Sequence, residues 1–391
     1  MPSQNVSPFS RRSFLQLSAA AATFHMVTEP MLAAAARGPA PKDAVMIDSN
    51  ENPLGPSQSA REAISAIIPL GGRYLDHLTD DLIHTFAEQE GLNPDCVQAF
   101  PGSTPPLRFA IVAFTSPQRS YVNADPGYEA GVFAASATDA RVVKVPLTKT
   151  YAHDAKAMIA AAPDAGLFYV CNPNNPTGTL TPHSDLEYLV ENKPKGSIVM
   201  VDEAYLHFCD APSTLDFVKA GKDVVVLRTF SKTYGMAGLR CGFAIARPDL
   251  LDKITDRSGW NFMPITALVA ASASLKDPLL VPERKRINGT VRQETFQWLD
   301  RNGYSYIPSE SNCFLLDTKR PAKPVIDAMA QQNVFIGRIW PILPTCTRIT
   351  IGTHEEMEKF QSAFQKVMRG TTAFSLPLAP RPHLNHRVLP S

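Results

Sequence analysis

Thr229-Phe230-Ser231-Lys232-Thr233-Tyr234-Gly235-Met236-Ala237-Gly238-Leu239-Arg240 puts one lysine beside a serine, with an arginine eight residues on. The stretch follows Val224-Val225-Val226-Leu227, a short apolar, β-branched run that predicts a buried strand. Ligands of open α/β sheets sit at the carboxyl ends of the strands. Lys232 comes within five residues of Leu227 and is therefore predicted to face such a site. Most lysines are simply solvated. An amine becomes nucleophilic when desolvation or nearby positive charge lowers its pKa, and it can then hold an aldehyde as a Schiff base. Ser231 and Arg240 suit a phosphate. Gly235, Ala237 and Gly238 are small enough to let a ligand approach the backbone.

Working outward, Gly166-Leu167-Phe168-Tyr169-Val170-Cys171 and Ser197-Ile198-Val199-Met200-Val201 are two more short apolar runs bounded by turn signals. They read as parallel strands buried on both faces, with a crossover helix over Ser184 to Asn192. Helical and strand patterns alternate to about residue 275, which predicts an α/β fold with a mostly parallel sheet between helices. Beyond that the pattern changes. A charged helix over Pro282 to Asn302 leads to strand-like Tyr304 to Pro308 and Asn312 to Leu316. A helix over Pro324 to Gln332 and a strand over Arg348 to Ile351 follow. The division expected is an arm over 37–60, a large domain over 61–275, a small α+β domain over 276–370 and a proline-rich tail over 371–391.

The chain has 391 residues, 44% apolar and 19% charged, which is ordinary globular composition. A net charge of +1 and the lack of a basic stripe argue against a nucleic-acid partner. The cysteines Cys96, Cys171, Cys209, Cys241, Cys313 and Cys346 show no C-x-x-C spacing and no paired histidines, so no structural metal is expected. Cys171 and Cys241 fall in apolar stretches and read as buried free thiols, with a disulfide left open as an alternative. Ser10-Arg11-Arg12-Ser13-Phe14-Leu15-Gln16 precedes the alanine-rich run Leu17 to Val27 and the small residues Leu32 to Ala36. That order resembles a twin-arginine (Tat) signal peptide over residues 1–36 and predicts export to the periplasm by the Tat machinery.

Asn172-Pro173-Asn174-Asn175-Pro176-Thr177-Gly178 follows one strand, and Asp202-Glu203-Ala204-Tyr205 ends the next. Taken singly, the first is a sharp turn and the second a helix cap. Taken with Lys232, they set an amide, a carboxylate, a phenol and an amine at successive strand ends. That set suits a pyridine ring, whose nitrogen a facing aspartate keeps protonated so that the ring draws off carbanion electrons.

These motifs resemble those of fold-type I pyridoxal-phosphate-dependent aminotransferases (class I/II), in particular the histidinol-phosphate aminotransferase branch, over roughly residues 45 to 368. The resemblance implies Lys232 as the Schiff-base lysine, Asp202 as partner of the pyridine nitrogen, and Asn175 and Tyr205 at the ring oxygen. It implies Ser231 and Arg240 at the phosphate, with Thr229 as helper. Gly102-Ser103-Thr104 matches the phosphate-binding turn at a helix start, a sound anion site. Tyr128 matches the aromatic stacked on the ring. Tyr74 matches the tyrosine that reaches the neighbouring subunit's phosphate, which implies a homodimer with shared sites. Asn52 lies in the segment near the substrate. Arg348 matches the arginine for the substrate anion, where a guanidinium fork suits a carboxylate, and Arg338 matches a second substrate arginine.

The implied reaction moves an amino group between an amino acid or related amine and a 2-oxo acid. The chain departs from the branch at three places. Thr104-Pro105-Pro106 stands where an acidic pair is usual, Leu75 replaces the usual proline, and the upstream Leu-x-Pro-Tyr segment is absent. These departures, with the export signal, weigh against histidinol phosphate as substrate. An amino-acid oxidase or decarboxylase on the same scaffold, or a non-catalytic cofactor-binding protein, stay open as alternatives.

Overall fold

The computed structural model describes residues 41–259 and 262–370; the signal expected over 1–36 and the tail over 371–391 lie outside them. The strands are β1 (Val45–Met46), β2 (Val97–Phe100), β3 (Ser120–Asp125), β4 (Val142–Pro146), β5 (Ala165–Cys171), β6 (Ile198–Asp202), β7 (Val224–Thr229), β8 (Gly242–Ile245), β9 (Ser305–Ile307), β10 (Cys313–Asp317), β11 (Val334–Phe335) and β12 (Cys346–Thr350). Seven of them form one sheet in the order β2-β8-β7-β6-β5-β3-β4. Pairings from β4 through β3, β5 and β6 to β7 are parallel, while β8 runs antiparallel to both β7 and β2.

Every residue of β5, β6 and β7 is buried. Side chains alternate between the faces of a strand, and the packing follows that alternation. Phe168, Val170, Val199, Val201, Val224 and Val226 enter one apolar cluster. Leu167, Tyr169, Cys171, Ile198, Met200, Val225 and Leu227 enter another, against Leu107, Ala110 and Ile111 of the helix Thr104–Phe114. A strand that must be apolar on both faces reads as an unbroken apolar run, which is why these three were visible in the sequence. The same parity carries Asp202, two residues past Met200, onto the face of the helix Thr104–Phe114.

A three-stranded antiparallel sheet, β12-β10-β9, makes the second core. Phe314, Leu316 and Ile349 pack there on Val325 and Met329 of the helix Ala322–Ala330 and on Phe360 and Phe364 of the helix His354–Gly370. The expected helices and strands of this region fall within two residues of those observed. Among the described residues no single helix is long and apolar enough to cross a membrane. All six cysteines are free thiols, five of them buried.

The segment from Val45 to Ser57 joins the two sheets. β1 pairs in parallel with β11, and the Thr350 amide donates to the Ile47 carbonyl at 2.9 Å. Ser57 then caps the helix Gln58–Ile67, its Oγ accepting from the Ala60 amide at 3.2 Å. The arm expected over 37–60 thus contains a strand and the first turn of a helix. Leu75 sits at φ +53°. Proline is locked near −65°, so the proline that the resemblance leads one to expect here could not adopt this backbone.

Candidate active site

The carboxyl ends of β5, β6 and β7 open into a cavity of about 300 Å³ lined by Asn175, Asp202, Tyr205, Lys232, Arg240 and Arg348, among others. Ser103, Thr104, Tyr128, Thr229, Ser231 and Arg338 also line it. Twelve of the fourteen residues singled out in the sequence therefore share one space. Tyr74 and Asn52 do not.

At one end is an anion cradle. The helix Thr104–Phe114 begins there, and its first-turn amides and dipole point into the cavity. Pro105 and Pro106 take positions where a missing N–H breaks no helical bond, but they leave Ser103 and Thr104 as the available amides. Hydroxyls and a guanidinium complete the cradle. The Ser231 amide donates to Thr229 Oγ1 at 3.1 Å, Thr229 Oγ1 donates to Ser231 Oγ at 3.0 Å, and Arg240 Nη1 donates to Ser231 Oγ at 3.3 Å. Arg240 is also anchored on the Ala237 carbonyl at 2.7 Å and the Pro101 carbonyl at 3.3 Å. Gly102, at φ +89°, passes so close that any Cβ there would overlap the Arg240 guanidinium. Only glycine allows this turn and this arginine together.

Asp202 is 4% exposed. Its Oδ2 accepts from Tyr169 Oη at 2.9 Å and its Oδ1 from the Ala204 amide at 3.1 Å. Burial pushes its pKa up from 3.8 to about 6, against the lowering effect of those two hydrogen bonds and of Lys232. The carboxylate is thus held at a cost until a cation meets it, which a protonated pyridine nitrogen supplies. Tyr169, one turn of the pleat away on β5, was not recognisable in the sequence as more than a core aromatic.

Among the described residues Lys232 is the one lysine in the lining. Burial, then the positive charge of Arg348, lower its pKa from 10.5 to about 8. Its Nζ donates to the Ser49 carbonyl at 3.4 Å and lies 5.6 Å from the centre of the Tyr205 ring. At pH 7 about a tenth of such an amine is unprotonated.

Tyr205 Oη accepts from Asn50 Nδ2 at 3.0 Å and from Asn175 Nδ2 at 3.4 Å. Arg348, 4% exposed, donates from Nη1 to Asn175 Oδ1 at 2.9 Å and from Nη2 to the Asp48 carbonyl at 2.6 Å, while its buried Nε has no partner. An unsatisfied buried guanidinium N–H at a cavity wall is a donor held ready for an anion.

Asn52 was expected near the substrate, but it faces away. Its Nδ2 donates to the Thr233 carbonyl at 3.0 Å, and its Oδ1 accepts from Arg284 Nη1 at 3.3 Å. Asn50, at φ +53°, takes the inward position. Two asparagines so near in sequence differ only in which one the turn points inward, and no local signal separates them. Tyr74 is 73% exposed and stacks on Phe262 at 5.0 Å, outside its own chain's cavity.

Behind the site lies a buried ion pair that the sequence did not suggest. Glu203 Oε2 accepts from Arg228 Nε at 2.6 Å, and its Oε1 accepts from the Thr214 amide at 2.6 Å and the Thr214 hydroxyl at 2.8 Å. Arg228 Nη1 donates to His207 Nε2 at 3.0 Å; burial and Arg228 lower the His207 pKa to about 3, so the ring is neutral and accepts. The pair ties the end of β6, next to Asp202, to the end of β7, next to Thr229. Glu203→Ala removes the hydrogen-bonded carboxylate of buried Arg228, leaving Glu90 Oε1 at 3.9 Å, and is expected to cost about 3 kcal/mol. A fall in urea midpoint at unchanged slope checks this; an unaltered midpoint would refute it.

The donors and acceptors of this cavity fit an aromatic phosphate with a basic ring nitrogen and an aldehyde. The architecture is that of a fold-type I aminotransferase, with pyridoxal 5′-phosphate as cofactor. The model of the aminotransferase class I and II family matches residues 42–364, and the chain belongs to that family. The histidinol-phosphate aminotransferase of Moorella thermoacetica is 34% identical over 335 residues, 84% of this chain and 86% of that protein. Histidinol-phosphate aminotransferase 1 of Dechloromonas aromatica is 35% identical over 332 residues, 83% of this chain and 90% of its own. The solved histidinol-phosphate aminotransferase of Sinorhizobium meliloti, in complex with pyridoxal-5′-phosphate, superposes with a TM-score of 0.77 at 25% identity, over 84% of this chain and 91% of that one.

Proposed function

We propose that this aminotransferase is exported, works as a homodimer and moves an amino group between an amino acid or related amine and a 2-oxo acid. The observation that carries the catalytic part is one amine, Lys232, lowered to about pKa 8 in the same cavity as a buried carboxylate and an arginine with a spare N–H. Bound pyridoxal phosphate supplies an aldehyde for amine exchange and a ring that accepts the electrons left at the substrate Cα. The chain does the rest. Arg348 holds the substrate carboxylate through its unpartnered Nε–H and so fixes which Cα substituent faces Lys232. With the cofactor bound, Lys232 Nζ would serve as the base that takes the proton from that Cα and as the acid that gives it back. Asp202 would keep the proton on the cofactor's ring nitrogen, Asn175 and Tyr205 would hold its ring oxygen, and Tyr128 would cover the ring. Ser103, Thr104, Ser231 and Arg240 would hold its phosphate.

Incubating the holo-protein with amino acids, with and without 2-oxoglutarate, tests the reaction class. New amino acid that forms only with the oxo acid is expected; oxygen-dependent turnover without it would sink transamination. The exposed Tyr74–Phe262 stack, beside exposed Ile68 and Leu70, supports a subunit interface, which sedimentation at working concentration checks. The Arg11-Arg12 segment supports export. Secretion of a reporter fused to residues 1–36 should stop when both arginines become lysine.

A further inference from the structure

The rim of the cavity carries an ion pair that bears on the substrate. Arg338 pairs through Nη2 with Glu129 Oε2. The Arg338 guanidinium carbon also lies 5.3 Å from the centre of the Trp340 ring, and that of Arg348 lies 5.7 Å from the same ring. Trp340 is 2% exposed, and its Nε1 donates to the Gly127 carbonyl at 3.0 Å. Arg338 is therefore held between a carboxylate and a fixed aromatic face. Glu129 follows Tyr128, the tyrosine in the cavity wall, so its carboxylate is built into the same loop as the site.

The cavity's cations divide by position. Arg240 belongs to the anion cradle, Lys232 to the reacting centre, and Arg348 to the substrate carboxylate. What remains for the far end of a substrate is Arg338, already met by Glu129, with the acidic residues Asp48 and Glu51 also in the lining. A phosphate or second carboxylate placed there would meet a neutralised guanidinium and like charge.

Resting on the aminotransferase reading, we infer that Glu129 is a specificity-determining residue, neutralising Arg338 so that the enzyme takes amino donors whose distal group carries no negative charge. Like charge juxtaposed in a binding site is a device of discrimination.

Three donors on one four-carbon backbone test this: homoserine, O-phosphohomoserine and 2,4-diaminobutyrate, neutral, anionic and cationic at the distal group. Each is titrated into the holoenzyme, with binding read from the cofactor's visible spectrum, and kcat/KM is measured separately with 2-oxoglutarate. The native protein should prefer homoserine and diaminobutyrate to the phosphate ester by roughly tenfold or more. Glu129→Gln should improve the phosphate ester by about tenfold relative to homoserine. Preference for the phosphate ester in the native protein, equal binding of all three, or an unchanged order in Glu129→Gln each overturns the inference. Absence of oxo-acid-dependent turnover with every donor would instead count against transamination, and the charge order in the spectral titrations still decides the role of Glu129.

Discussion

Lys232→Ala is expected to lose the visible absorbance that marks covalent attachment of pyridoxal phosphate and to lower transamination by about 10⁴-fold. Among the described residues no other lysine lines the cavity, so none of them substitutes for its Nζ as the proton carrier at the substrate Cα. The anion cradle is untouched by the change, and the cofactor should still bind non-covalently through Ser231, Arg240 and the helix start. The amine's lowered pKa adds a second signature. Loading of the cofactor-free protein with pyridoxal phosphate should quicken as pH rises and level off above about 8, where Lys232 is unprotonated. An alanine variant with an unaltered visible spectrum would remove Lys232 from its assigned place.

Asp202→Asn should show two effects of opposite sign. Its carboxyl holds its proton more tightly in the folded protein than in the unfolded chain, at about 6 against 3.8. The folded state therefore binds more protons between those values, and stability of the cofactor-free protein falls as pH rises through that window. Above pH 6 the buried charge costs up to about 3 kcal/mol. Neutral asparagine removes this cost, so the cofactor-free variant should melt higher than the native protein at pH 8, with the gap closing toward pH 4. Activity should go the other way, down by roughly 10²–10³-fold, as for the loss of one charge placed against a developing one. A variant that keeps native turnover, or shows no pH-dependent gain in Tm, contradicts this account. The carboxylate is kept in an unfavourable place because the bound ring needs it there.

How much of this could be read beforehand depended on burial and locality. β5, β6 and β7 are apolar on both faces and stood out as runs. Their carboxyl ends carry Asn175, Asp202 and Lys232, so the reacting centre was legible from three short stretches. The antiparallel placement of β8 was not, because nothing in Gly242–Ile245 states its direction or its neighbours. Tyr169 passed for core, since a buried tyrosine and one that donates to a carboxylate look alike in sequence.

The sequence by itself determined the fold class, the cofactor chemistry and most of the residues around it, because each of those features is written in contiguous runs and their order along the chain. Only the tertiary structure decided which asparagine turns inward on Tyr205, that Glu203 and Arg228 lock the ends of β6 and β7, and that Glu129 neutralises Arg338. Each of these is a contact between residues far apart in the chain, 155 for Asn50 and Tyr205 and 209 for Arg338 and Glu129. A side chain's partner at that separation is set by the packing of sheets and loops around it, and local pattern carries no record of it.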